Sequence, residues 1–330
     1  MGATTVTTAP VGAMTYSFPA TTQLTSSYIS VPLTNAPIYS GTFASFTSTT
    51  INFAGTPFTA GELAQAGSPY FLRLQSGTQA GRCLLITANT VNSVTVDVTN
   101  NSSQTTNLDT SGFSVALGDQ VQIFPGDTLA SFFGDNTTGN PLILVGAAGA
   151  LSADTVSIYN KSLAKQDAYF FSTSLGYWRS TTSTENKNGV VLYPDAAFGL
   201  TRRAGRAALS FSVVGDVPVV TPKIKTAGSN QAVYGANPYP VDLTLGTLNL
   251  VNWTKSNSAL SADTISVYNS SQAKMDTYYQ KLDGTWRKAG DTITDQSPFV
   301  VPAGSLLGFL KRAAVSGSAS FISSPLPYNP

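Results

Sequence analysis

The chain has 330 residues, 42% of them hydrophobic and 10% aromatic, which is enough to bury more than one core and excludes disorder. Only 11% are charged, against about 25% in ordinary soluble domains, and 18 Lys and Arg face 17 Asp and Glu. A net charge of +1 directs nothing towards nucleic acid or anionic lipid, and it leaves little self-repulsion to oppose association.

The sequence predicts an all-β protein: tandem duplicated β-sandwich modules with an inserted small β-barrel-like domain. Residues 1–35 read as N-terminal strands that join the first sandwich or a neighbouring subunit. The opening Met1-Gly2-Ala3-Thr4-Thr5-Val6 looks like an initiator ahead of a mature chain whose export signal has been removed, so an extracellular or cell-surface location is expected. Thr4-Thr5-Val6-Thr7-Thr8 and Met14-Thr15-Tyr16-Ser17-Phe18 are strand-prone, uncharged and bounded by Pro10 and Pro19. No charge discourages their pairing, so Val6, Tyr16 and Phe18 mark a candidate assembly segment. Such a segment pairs in trans on a neighbouring subunit, or in cis beside Tyr28 to Leu33.

Residues 36–124 read as the inserted barrel-like domain, with strands at Tyr70 to Leu74, Leu85 to Thr90, Val94 to Val98 and Gln120 to Phe124. Only Thr59 to Gln65 has a helical look. Cys83 is the single cysteine; it forms no intramolecular disulfide and, within Arg82-Cys83-Leu84-Leu85-Ile86, reads as a small buried hydrophobe.

Residues 125–220 and 221–330 read as two sandwich repeats. Leu151-Ser152-Ala153-Asp154-Thr155 returns as Leu260-Ser261-Ala262-Asp263-Thr264, and 12 of 17 positions are identical between 151–167 and 260–276. The register persists: Tyr159, Tyr169, Trp178 and Arg179 answer to Tyr268, Tyr278, Trp286 and Arg287, and Gly199 and Arg203 to Gly308 and Arg312. The paired Tyr and Trp residues are either the core and cross-strand ladder of a sandwich or a solvent-facing platform for a ligand.

The run Tyr70 to Val98, then Gly118-Asp119, Pro125-Gly126-Asp127-Thr128-Leu129 and the Ala-Asp-Thr-Val/Ile…Tyr-Asn…Trp-Arg units resemble an uncharacterised family of secreted, β-rich proteins known mainly from Verrucomicrobia. Pro10-Val11-Gly12 is similar to that family's mature N-terminus. The resemblance implies export and an all-β architecture, and it carries no activity or site residues.

The chain has no histidine, which removes the Ser-His-Asp and Cys-His arrangements and every His-ligated metal. Gly112-Phe113-Ser114-Val115-Ala116 lacks the final glycine of a nucleophile elbow. Asp154 with Asp167, and Asp263 with Asp276, are the carboxylate pairs that could act without histidine, but a pair repeated at turns reads as backbone caps. Gly118-Asp119, Gly126-Asp127 and Gly134-Asp135-Asn136 could offer oxygens to calcium, although no complete calcium loop is present. Arg202, Arg203 and Arg206 read as charges blunting a strand edge, or as a contact cluster for another subunit or an anion. The sequons at Asn100, Asn101, Asn136, Asn160, Asn252 and Asn269 follow from a chain rich in Asn, Ser and Thr. No cofactor is expected. The expected function is that of a non-enzymatic extracellular structural protein, self-assembling into a filament, surface coat or appendage. The alternative is a carbohydrate-binding or adhesive surface protein using exposed Tyr and Trp. The expected partners are copies of the chain and an extracellular glycan, with no nucleic acid and no membrane span.

Overall fold

A computed structural model describes residues 10–77, 79–98, 117–160, 165–194, 196–225, 232–248, 250, 253–269, 271–312, 321–322 and 324–328. Val6, Ser114 and the sequons at Asn100, Asn101 and Asn252 lie outside the described residues. The protein is almost entirely β, as the alternating Thr/Val/Ile/Tyr segments require.

Strands β1 (Val11–Phe18) and β2 (Thr25–Ser30) come first. Then β3 (Tyr39–Thr42), β4 (Ser45–Phe46), β5 (Thr50–Asn52), β6 (Ala64–Gln65), β7 (Ser68–Leu74), β8 (Cys83–Asn89), β9 (Ser93–Val96) and β10 (Gln120–Pro125) form one eight-stranded sheet. Its order, β3-β10-β7-β8-β9-β5-β4 with β6 beside β7, leaves β3 and β4 at open edges. The unit expected to be a small barrel-like domain is therefore a half-barrel. Its concave core holds Phe53, Leu63, Leu72, Leu84, Val94 and Ile123. Cys83 is buried with Phe71 and Phe124. Thr59 to Gln65 is turn and β6, not helix; Asn89 ties it down by accepting from Leu63 N at 2.9 Å and donating to the Thr59 carbonyl at 2.7 Å. The α-helix lies elsewhere.

After the half-barrel come β11 (Asp127–Thr128), the short helix α1 (Leu129–Phe133), β12 (Thr155–Asn160), β13 (Lys165–Ser172), β14 (Tyr177–Ser180), β15 (Val191–Leu192), β16 (Ala197–Arg202) and β17 (Leu209–Asp216). Thr128 and Ser131 close a reciprocal capping box that starts α1. A five-stranded antiparallel sheet runs β14-β13-β12-β16-β2, while β17 pairs with β1 and β15 with β11. Between these layers lie Ile29, Leu129, Phe133, Val156, Phe171, Trp178 and Phe198.

The remaining strands are β18 (Ile224–Lys225), β19 (Ala232–Ala236), β20 (Leu243–Thr244), β21 (Thr264–Asn269), β22 (Lys274–Gln280), β23 (Trp286–Lys288), β24 (Val300–Val301), β25 (Leu306–Leu310) and β26 (Phe321–Ile322). They pair as β23-β22-β21-β25-β19, β20-β24 and β18-β26. This is the strand order of the preceding set, element for element, down to a one-turn helix (Leu245–Thr247) with a Thr244–Thr247 capping box in the place of α1. Val233, Ile265, Tyr278, Trp286, Leu307 and Phe309 fill this second core.

β1 pairs within its own chain along its full length, Val11 to Phe18 against Asp216 to Leu209. Tyr16 and Phe18 therefore pair within their own chain, and the ladder partner is β17 in place of the Tyr28–Leu33 stretch. Tyr16 is held inward, where its hydroxyl donates to the Ser30 carbonyl at 2.6 Å and its ring lies 5.5 Å from Phe211. Phe18 stacks on Tyr16 and Phe211.

Burial pushes the Tyr16 hydroxyl up to about 12, an effect only partly offset by its hydrogen bonds to Ser30, and burial likewise lifts Tyr278 to about 12. An unfolded tyrosine titrates near pH ~10. The folded state therefore holds these protons more tightly, and the stability they confer is complete below pH ~10 and lost as pH rises towards 12. Urea midpoints measured between pH 8 and 12 are expected to fall above pH ~10, less steeply in Tyr16→Phe. An equally steep fall in that variant would remove Tyr16 from the account.

Candidate functional site

The two five-stranded sheets each turn one face to a core and the other towards each other. On β12, Val156 points to the core, so Ser157 and Tyr159 take the opposite face; on β2, Ile29 is in the core and Tyr28 is opposite. The same alternation on β21 and β19 puts Ile265 and Val233 in the second core and leaves Tyr268 and Tyr234 opposite. Tyr28 sits beside Gly199 on β16, and Tyr234 beside Gly308 on β25. A Cβ on Gly199 would lie 3.4 Å from the Tyr28 ring, and one on Gly308 3.3 Å from the Tyr234 ring. These repeated glycines let a tyrosine lie flat across the sheet.

The four rings meet across the gap in two equivalent edge-to-face pairs: Tyr28 with Tyr268 at 4.6 Å, and Tyr159 with Tyr234 at 5.4 Å. Exchanging the two halves maps one contact onto the other, so the sheets are related by an approximate two-fold axis. Beside the rings lies a cleft of 310 Å³ whose walls include Ala197, Leu306, Met275, Gln166 and Lys274. That volume is at the lower end for small-molecule sites. Burial raises the Tyr28 and Tyr268 hydroxyls, and each is raised further by a neighbouring tyrosine.

Of the aromatic residues singled out in the sequence, Tyr159 and Tyr268 enter this cleft. Trp178 and Trp286 do not: they are 0% and 1% exposed, which removes the exposed Trp platform. Trp178 donates its indole N–H to the Gly134 carbonyl at 2.6 Å and packs on Phe133 and Phe171. Tyr278 is buried against Phe299, and Tyr169 is half-buried opposite Val156 and Ser180. Tyr28 and Tyr234 were missed. A signal existed, since Tyr-x-x-x-Pro occurs at Tyr28–Pro32 and again at Tyr234–Pro238, but the half-barrel separates the first copy from the rest of its repeat.

The arginine cluster makes its contacts within the chain. Arg202 donates to the Pro19 and Ala207 carbonyls, and Arg203 to Ala153 and Ala150. Arg206 Nε pairs with Asp154 Oδ1 at 2.9 Å. Asp154 also accepts from the Val145 and Arg203 amides, so it locks the turn before β12. Asp263 repeats this, accepting from the Thr254 and Arg312 amides and from Lys311 Nζ. The cause is shared: a buried carboxylate at the mouth of a β-sheet must be paired and hydrogen-bonded.

Asp154 lies just before β12, whereas Asp167 stands opposite Ile158, a separation of about 13 Å along the strand. Glycosidase carboxylates stand ~5–9.5 Å apart, so the two cannot flank one bond. Asp135 accepts from Thr137 and Asn140, which hold its carboxyl below the usual carboxylate range, and Asp127 accepts from Ser131. Among the described residues, no three His, Cys, Asp or Glu side chains gather, and no helix is long and apolar enough to cross a membrane.

A second feature lies on β17. Asp216 exchanges both backbone hydrogen bonds with Thr34, on the side away from β1. In an antiparallel ladder alternate residues aim their N–H and C=O groups at the same edge, so Val214, Ser212 and Ser210 aim theirs at that side too. The chain leaves this lane after Thr34, because Pro37 and Ile38 lead off into β3. The vacated lane is a 190 Å³ groove lined by Leu33, Phe132, Ile143 and Phe211. No Lys or Arg lines it among the described residues.

No family model, no curated protein and no solved structure matches the chain.

Proposed function

We propose that the protein is a non-enzymatic extracellular structural subunit that assembles with copies of itself into a filament, surface coat or appendage. The observation that carries this reading is the strand lane beside β17: a row of aimed backbone donors and acceptors over a groove lined by Leu33, Phe132, Ile143 and Phe211, with Asp127 the one charged side chain and no Lys or Arg among its described lining residues. An extended segment adding there would gain main-chain hydrogen bonds, with alternate side chains filling the groove. Thr4-Thr5-Val6-Thr7-Thr8 of a second copy has the composition for it. The matching strand orders support a tandem duplication of one β-sandwich module, the first copy combining residues 10–35 with 125–220 around the half-barrel insertion and the second spanning 221–330. Export is supported by the family resemblance.

Light scattering on three proteins tests the assembly reading. The full chain is expected to grow with concentration, while a chain lacking residues 1–9 and the Ser212→Pro variant stay monomeric and folded. Proline at 212 removes an amide aimed at the lane and spares the β1 ladder, whose bonds come from the alternate residues. A full chain that is monomeric at every concentration, or an oligomer unchanged in both variants, would overturn strand addition.

One observation favours the second reading, adhesion to an extracellular glycan: the cleft with four tyrosines, which supply flat apolar faces and polar tips together.

A further inference from the structure

We propose that Lys288 and Asn269 form an intramolecular amide bond, with Asp276 carrying protons between them. This goes beyond the assembly reading and does not depend on it. The three side chains come from neighbouring strands: Asn269 ends β21, Asp276 lies on β22 and Lys288 ends β23. Val267 stands opposite Asp276 and Tyr278 opposite Lys288, and both neighbours belong to the second core. Strand alternation therefore sets Asn269, Asp276 and Lys288 on that same face.

One carboxylate joins the other two groups. Asp276 Oδ1 meets Lys288 Nζ at 2.9 Å, and its Oδ2 accepts from Asn269 Nδ2 at 2.8 Å. Amine and amide are thus held within the span of a single carboxylate, the proximity that a slow acyl transfer needs. The Asp276 side chain is 5% exposed, so little water competes for the site. Burial pushes its carboxyl up, while the Asn269 and Lys288 hydrogen bonds pull it down. The net shift is downward, so the group stands ionised, the state in which it can take a proton. The amide is polarised from its other side. Asn269 Oδ1 accepts from Ser271 N at 3.1 Å, Ser271 Oγ at 2.7 Å and Gln272 N at 3.3 Å, three donors placed where negative charge would develop.

The step balances within the chain. The Lys288 ammonium gives one proton to Asp276, and the neutral amine attacks Asn269 Cγ. The oxygen of the tetrahedral intermediate takes the negative charge against its three donors. Asp276 then passes a proton to Nδ2 and takes one from Nζ; the Cγ–Nδ2 bond breaks and ammonia leaves. That ammonia accepts the proton Asp276 still holds, which restores the carboxylate. Nothing is oxidised or reduced.

The first half of the chain supplies the contrast. Asn160 donates to Asp167 at 2.8 Å in the same way, but Ser180 takes the place of Lys288, opposite Tyr169. The lysine that reaches Asp167 is Lys165, 58% exposed beside a carboxylate 27% exposed. One bond per chain is expected, in the second half.

Intact-mass spectrometry of the denatured full chain tests this. The chain is expected to be lighter than its sequence by one ammonia, and proteolysis should yield one peptide pair joined through Asn269 and Lys288. Lys288→Arg keeps a cation beside Asp276 and removes the nucleophile, so that variant should show its full mass, as should Asp276→Asn. A full chain at its sequence mass would overturn the proposal without recourse to any variant. A loss of ammonia that persists in Lys288→Arg would also overturn it and leave a succinimide at an asparagine in its place.

Discussion

Replacing Trp178 or Trp286 with Ala is expected to cost about 3–5 kcal/mol of folding stability. Both rings are shielded from solvent, each at the centre of one core. Truncation removes the transfer energy of a large side chain and leaves a cavity that β-strands, held in register by their ladders, cannot close. Trp178→Ala further strands the Gly134 carbonyl that accepts its indole N–H. Trp178→Phe keeps most of the volume and should lose less. Urea unfolding of the three variants measures this, and a loss below ~1 kcal/mol for either Ala variant would show that the ring is not an anchor. A stable Trp variant that instead lost sugar binding would return these residues to the ligand platform.

Asp263→Ala carries the second large effect, a loss of about 3–5 kcal/mol. Asp263 and Lys311 have side chains 0% and 2% exposed and are joined directly. Removing the carboxylate breaks this buried ion pair, and the Thr254 and Arg312 amides lose their acceptor as well. The first half of the chain gives the contrast. There Asp154 is paired with Arg206, which is 18% exposed, so water reaches the cation and the same substitution should cost less. Lys311→Met alone should also be destabilising. The double variant Asp263→Asn with Lys311→Met should recover much of the loss, since an uncharged pair of similar volume needs no counter-ion. Strictly additive losses in that cycle, read from denaturant midpoints, would mean that the two charges do not act as a pair.

Much of the architecture is written in local pattern. Thr155-Val156-Ser157-Ile158 and Thr264-Ile265-Ser266-Val267 alternate because one face meets a core, and the period of two survives in β12 and β21. Asp154 and Asp263 were legible as turn caps, because only a local backbone partner explains an acid repeated at a strand start. The helix at Leu129–Phe133 was not. It is one turn long, and its Thr128–Ser131 capping box lacks the acidic residue that marks most such boxes in a sequence. Ala197-Phe198-Gly199-Leu200 and Leu306-Leu307-Gly308-Phe309 are continuous apolar runs, a signature of strands covered on both faces. That signature was the one local hint that the halves pack together.

By itself the amino-acid sequence determined that this chain is β-rich, that its last two thirds contain a repeat, and that histidine chemistry is absent. Those properties depend on residue identity and on short-range periodicity, which a linear string carries in full. The tertiary structure alone decided where β1 pairs, that the arginines point inward, and that the half-barrel stays open. It also decided that four tyrosines from β2, β12, β19 and β21 converge on one cleft. Each of these joins residues far apart in the chain: β1 meets β17, and Tyr28 meets Tyr268. Which distant surfaces bury one another depends on the summed shape and packing of whole sheets, and no local pattern encodes that sum.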